Sequence, residues 1–78
     1  MTTAFGLRIR ARRNALHLTL DEFARQLTDA GAPITREGVR RWEHGLTSPT
    51  VDRVAVIATV LGVTPADLLD GDGDGEVA

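Results

Sequence analysis

Thr35-Arg36-Glu37-Gly38-Val39-Arg40-Arg41-Trp42-Glu43-His44-Gly45 decides how this chain is read. Thr35 is suited to an N-cap, because its hydroxyl can accept from the unpaired N–H groups of a first helical turn. Gly45 suits the left-handed backbone on which helices stop. Between them Val39 and Trp42 fall three apart on one face, with Ile34 leading in, while Arg36, Glu37, Arg40 and Arg41 are charged. The segment therefore predicts a short helix with an apolar inner stripe. Gly38 inside it carries a penalty of roughly 1 kcal/mol relative to Ala. Close helix packing or close approach to a ligand would each account for it.

The flanks repeat this grammar. Upstream, Thr28 to Ile34 is a turn by its Gly31 and Pro33. Before it, Thr19 with Glu22 three residues on is a capping-box pair, and Leu20, Phe23, Ala24 and Leu27 form the apolar side of a second helix. A first helix is expected from Ala4 to Leu16, with Phe5, Ile9 and Leu16 on one stripe and Arg8 and Arg12 facing elsewhere. Downstream, Leu46 to Pro49 reads as a loop. Thr50 then caps a helix bearing Val54, Ile57, Ala58 and Leu61, with Gly62 at its C′ position. Thr64-Pro65-Ala66-Asp67 starts a fifth helix carrying Leu68 and Leu69. No segment alternates as a strand. The expected fold is all-α, five helices in one domain over residues 1–69. Residues 70–78, beginning Asp70-Gly71-Asp72-Gly73-Asp74-Gly75-Glu76, are expected to form a disordered acidic tail.

Charge is unevenly placed. Residues 1–45 hold eight arginines against five acids (+3), and residues 46–78 hold one arginine against six acids (−5), which together give the net −2. A basic half joined to an acidic end is more informative than the total. All basic residues are arginine, whose planar fork suits phosphate and guanine, although codon usage in a GC-rich genome accounts equally well for the missing lysine. With no cysteine, disulfides and thiolate metal sites are excluded. His17 and His44 fit no ligand spacing. Asp70, Asp72 and Asp74 imitate the start of a calcium loop, but no bidentate acid follows at the required position. The lone serine, Ser48, has no general base beside it in any recognisable motif. No enzyme, cofactor, metal, small-molecule ligand or membrane span is expected, and the default location is the cytoplasm.

From Phe5 to Leu69 the chain resembles the lambda-repressor-like, or XRE, helix-turn-helix family. The matching elements are Gly6-Leu7-Arg8-Ile9-Arg10 with Arg13, then Leu18-Thr19-Leu20-Asp21-Glu22-Phe23-Ala24, and then the Thr35–Gly45 stretch with Pro49. Ala58-Thr59-Val60-Leu61-Gly62-Val63 and Asp67-Leu68-Leu69 complete the set. Three features depart from the pattern. The turn before Thr35 is several residues longer, Leu20 stands where the family often has a phosphate-touching glutamine, and His17 stands where it commonly has glycine.

The resemblance implies a sequence-specific, double-stranded-DNA-binding transcriptional regulator, a small bacterial or phage repressor that occludes its operator in the nucleoid. Arg36, Glu37 and Arg41 would face bases. Arg13, Asn14, Thr19, Thr35, Arg40, Thr47 and Ser48 would face phosphates. Arg13 and Glu43 would form a partly buried ion pair linking the first helix to the third, and Trp42 would lie in the core. A homodimer through Val63, Leu68 and Leu69 is expected. With no ligand-sensing domain following, control would come from concentration or a partner. The readings set against this are a protein-interaction module (antitoxin or adaptor) and a DNA-bending, excision-type protein.

Overall fold

The computed structural model describes residues 3–69, so the acidic stretch from Asp70 onward lies outside the described residues. Five helices follow in chain order: α1 (Thr3–Ala15), α2 (Leu20–Asp29), α3 (Arg36–Glu43), α4 (Val51–Leu61) and α5 (Pro65–Leu69). None of these helices is long and apolar enough to cross a membrane. Helices this short are unstable alone, so their ends and their packing must hold them.

Threonine starts four of the five. The Thr19, Thr35, Thr50 and Thr64 hydroxyls accept from the N–H of Glu22, Gly38, Arg53 and Asp67. At α2 and α5 the acid returns the bond, Glu22 accepting from the Thr19 N–H (2.8 Å) and Asp67 from the Thr64 N–H (3.0 Å). The other ends share a second device. His17, Gly31, Gly45 and Gly62 all have positive φ, at 59°, 101°, 73° and 74°. Each donates to a last-turn carbonyl, and the next residue donates back five positions, as Leu18 does to Arg13 (3.1 Å) and Val63 to Ala58 (3.0 Å).

α3 packs on α1 and α2, and α4 and α5 close the other side against α2 and α1. Phe5, Ile9, Phe23, Leu27, Val39, Trp42, Val54, Ile57, Leu61 and Leu68 form one buried cluster. Burying a large apolar side chain contributes about 1.5–3 kcal/mol, so this cluster supplies the main driving force. Two expectations are corrected. Leu16 does not extend the stripe of α1: the helix ends at Ala15, and Leu16 lies in the turn, 47% exposed. Leu68, expected between two copies, is 1% exposed within one chain because α5 folds it into the core, which leaves Leu69 (45% exposed) facing outward and Val63 half-buried against the core.

His17 is the one non-glycine residue at positive φ among the described residues. The left-handed conformation costs an L-residue roughly 1–2 kcal/mol, and glycine returns part of that as backbone entropy. His17→Gly is therefore expected to stabilise the chain by about 1 kcal/mol, roughly 4–8 °C in Tm for a domain of this size. An unchanged or lower melting temperature would show that the turn carries no strain.

Candidate nucleic-acid interface

The angle of α3 is set at its junction with α1. Glu43, the last residue of α3, is 3% exposed, and two arginines of α1 converge on it. Arg13 donates through Nε to Glu43 Oε2 (2.6 Å) and through a terminal nitrogen to Oε1 (3.0 Å). Arg10 Nε lies 3.5 Å from Oε1. Arg13 also donates to the Leu18 carbonyl (2.8 Å), tying the α1–α2 turn to the same point. The expected Arg13–Glu43 pair is thus present, in bidentate form. Its hydrogen bonds hold the Arg13 guanidinium above the ordinary arginine value. With these donors engaged and the side chain 12% exposed, Arg13 can offer a phosphate only its remaining N–H groups.

Gly6 permits this junction. It is buried, and a Cβ there would lie 2.7 Å from the Glu43 carbonyl oxygen and closer still to that of Trp42. Those are backbone atoms of α3, so an added methyl moves a helix rather than a side chain.

The long turn between α2 and α3 is pinned rather than looped out. The Thr28 hydroxyl donates to the Ala24 carbonyl (2.9 Å) and lies 3.3 Å from both the N and the O of Ile34. Arg53 of α4 donates to the Pro33 carbonyl, and Ala32 is buried. A Cβ on Gly38 would lie 2.5 and 2.8 Å from Ile34 side-chain carbons. Gly38 is therefore accounted for by the lie of Ile34 across it. The extra residues form a bracket between α2, α4 and the first turn of α3.

The outer face of α3 is largely paired with itself and with α2. Arg40 holds Glu37 in a fork, Nε to Oε1 at 2.8 Å and a terminal nitrogen to Oε2 at 2.7 Å. These bonds hold the Glu37 carboxyl below its ordinary value and the Arg40 guanidinium above its own. Both groups are thus charged at neutral pH, and the attraction between them is lost as pH falls through the lowered Glu37 value. Arg36 faces Asp21 of α2 at 3.9 Å, both exposed. The Arg41 side chain is exposed and makes no hydrogen bond or ion pair among the described residues. Asn14, Thr47 and Ser48 are exposed near the ends of α1 and α3, and the Thr19 and Thr35 hydroxyls, having accepted one bond each, retain an O–H to donate. Trp42 is 4% exposed and belongs to the core.

Sequence reasoning missed Arg8, Arg10, Asp21 and Arg53 as partners. Arg8 donates to the carbonyls of Leu68 (2.9 Å) and Leu69 (3.3 Å), closing the end of α5. No local signal marks such contacts, which join residues as much as 61 positions apart. Among the described residues, no three His, Cys, Asp or Glu side chains stand together as metal ligands would.

Two capped helices joined by a bracketed turn, with α3 packed inward through Val39 and Trp42 and charged outward, define a helix-turn-helix protein. The family model described as "Helix-turn-helix" matches residues 9–68, and the chain belongs to that family, in its XRE or lambda-repressor-like form. Among solved structures the chain is similar to the P22 c2 repressor protein in complex with synthetic operator 9T, at 26% identity and a TM-score of 0.77, covering 87% of this chain and 96% of that one. No curated protein matches.

Two substitutions test the junction. Glu43→Gln leaves Arg13 without a counter-charge in a nearly dry site and should destabilise the chain by about 3 kcal/mol in urea unfolding, the low end for a broken buried pair. Gly6→Ala gains helix propensity but overpacks backbone, for a net loss of about 2 kcal/mol or more. Parent-like stability in either variant would mean that the α1–α3 junction does not depend on that contact.

Proposed function

We propose that this chain is a sequence-specific regulator of transcription that binds double-stranded DNA and represses by occluding its operator. The observation that carries the reading is Arg41, an exposed, unpaired guanidinium on the outer face of a helix whose inner face and both ends are fixed. The likeness to a repressor in complex with an operator supports it.

In such a complex α3 enters the major groove and its outer face, from Arg36 in the first turn to Arg41 in the last, meets base edges. Arg41 and Arg36 are suited to the O6 and N7 of guanine, and Glu37 to a base amino group. Asn14, Thr19, Thr35, Arg40, Thr47 and Ser48, with the remaining N–H groups of Arg13, are suited to phosphate oxygens and would fix the register. Two copies joined through Leu69 and Val63 would present two such helices to half-sites ~34 Å apart.

Selection of bound duplexes from a randomised library tests this directly. An enriched inverted repeat supports a sequence-specific dimer, and a single enriched half-site supports reading by one copy. No enrichment by the folded protein would overturn the proposal in favour of a protein-binding role. On the enriched duplex, Arg41→Ala is expected to lose ~1–3 kcal/mol of affinity and to relax one base position. An equal loss on every sequence would sink its base-reading role.

A further inference from the structure

The outer face of α3 carries three arginines, and one of them is held by an acid of the same face. Glu37 is the second residue of α3, and Arg40 lies one turn on. Their fork uses both carboxylate oxygens and two guanidinium nitrogens, at 2.7 and 2.8 Å. The side chains are 59% and 41% exposed, so the pair stands in water and is readily screened and opened.

We infer that Glu37 is a specificity-determining residue that works by withholding Arg40, an inference that rests on the DNA-binding reading above. An ionised carboxylate accepts hydrogen bonds and cannot donate. Opposite a base edge that presents only acceptors, such as guanine O6 and N7 or thymine O4, Glu37 has nothing to exchange for Arg40, and the pair stays closed. Opposite an amino group, cytosine N4 or adenine N6, the carboxylate turns to the base and releases the guanidinium to the neighbouring phosphate. A phosphate contact, ordinarily blind to sequence, becomes conditional on the base. The closed pair is also neutral overall, so Glu37 enters the groove without presenting an uncompensated negative charge to the backbone.

Salt titrations read this out. Each phosphate neutralised on duplex DNA adds about 0.9 to the slope of log affinity against log salt. Binding of the parent, Glu37→Gln and Arg40→Ala would be followed by fluorescence anisotropy from about 50 to about 200 mM salt. The duplexes are the one enriched by selection and a scrambled one of equal length. The parent slope is expected to be steeper on the enriched duplex by about 0.9. In Glu37→Gln the charge and one of the two acceptor oxygens that hold Arg40 are gone, so Arg40 is released to phosphate on both duplexes. Its slope on scrambled DNA should steepen by about 0.9, which over a four-fold salt range is an additional loss of about 3.5-fold. In Arg40→Ala the slopes should converge with no steepening on scrambled DNA.

Both side chains are exposed, so melting curves like the parent's are expected and would separate these effects from misfolding. A parent that binds neither duplex, or both alike, overturns the DNA-reading function itself. A parent that discriminates, with a slope difference that survives Glu37→Gln, overturns only the role of Glu37.

Discussion

The burial of Glu43 is the constraint on which the rest of this structure depends. A carboxylate that is 3% exposed must be neutralised and hydrogen-bonded where it lies, and α1 supplies Arg13 and Arg10 for that purpose. Meeting that demand locks the last residue of α3 to the last turn of α1, and Gly6 lets the two backbones close to the required distance. A hydrophobic pair of the same size would bury comparable area with less desolvation. It would not specify a rotation of α3 about its own axis, because apolar contacts are non-directional. The bidentate fork does specify it, and that rotation decides which side chains of α3 point outward.

The other end of α3 is fixed by different means toward the same result. Thr35 caps it, Ile34 lies across Gly38, and the turn before it is tied to α2 through Thr28 and to α4 through Arg53. A helix of eight residues has too little intrinsic stability to persist without such fixing. Repeating one starting device and one stopping device along the chain lets helices this short hold defined ends. The inner stripe of Val39 and Trp42 then anchors the middle.

Much of this was legible in the sequence because its causes are local. Thr19, Thr35, Thr50 and Thr64 announce helix starts by residue type and by the acid or proline that follows. Gly45 and Gly62 announce stops in the same way. The Arg13–Glu43 pair was legible only through the family resemblance, since nothing local joins residues 30 apart. What failed depended on geometry at a distance. Leu16 fits the period of α1, but the left-handed turn at His17 ends that helix one residue sooner. Leu68 and Leu69 are equally apolar, and only the packing of α5 on the core decides that the first is buried and the second exposed. Gly38 raised a question of packing or ligand approach that the position of the Ile34 side chain answers.

The same limit governs charge. Counting residues gives the N-terminal half an excess of +3, which reads as a basic face. In the fold, Arg10 and Arg13 face Glu43, Arg36 faces Asp21, Arg40 holds Glu37, and Arg8 and Arg53 serve backbone carbonyls. Arg12, Arg25 and Arg41 are exposed and make no side-chain hydrogen bond or ion pair among the described residues. The positive charge free to meet a polyanion is therefore smaller than composition implies, and on α3 it is concentrated at Arg41. Attraction that does not depend on sequence grows with each unpaired cation, whereas discrimination between sequences depends on groups held in place. On the DNA-binding reading proposed above, a helix whose arginines mostly face acids is poorly suited to general adhesion, and its contribution to affinity would depend on what the groove offers to those acids.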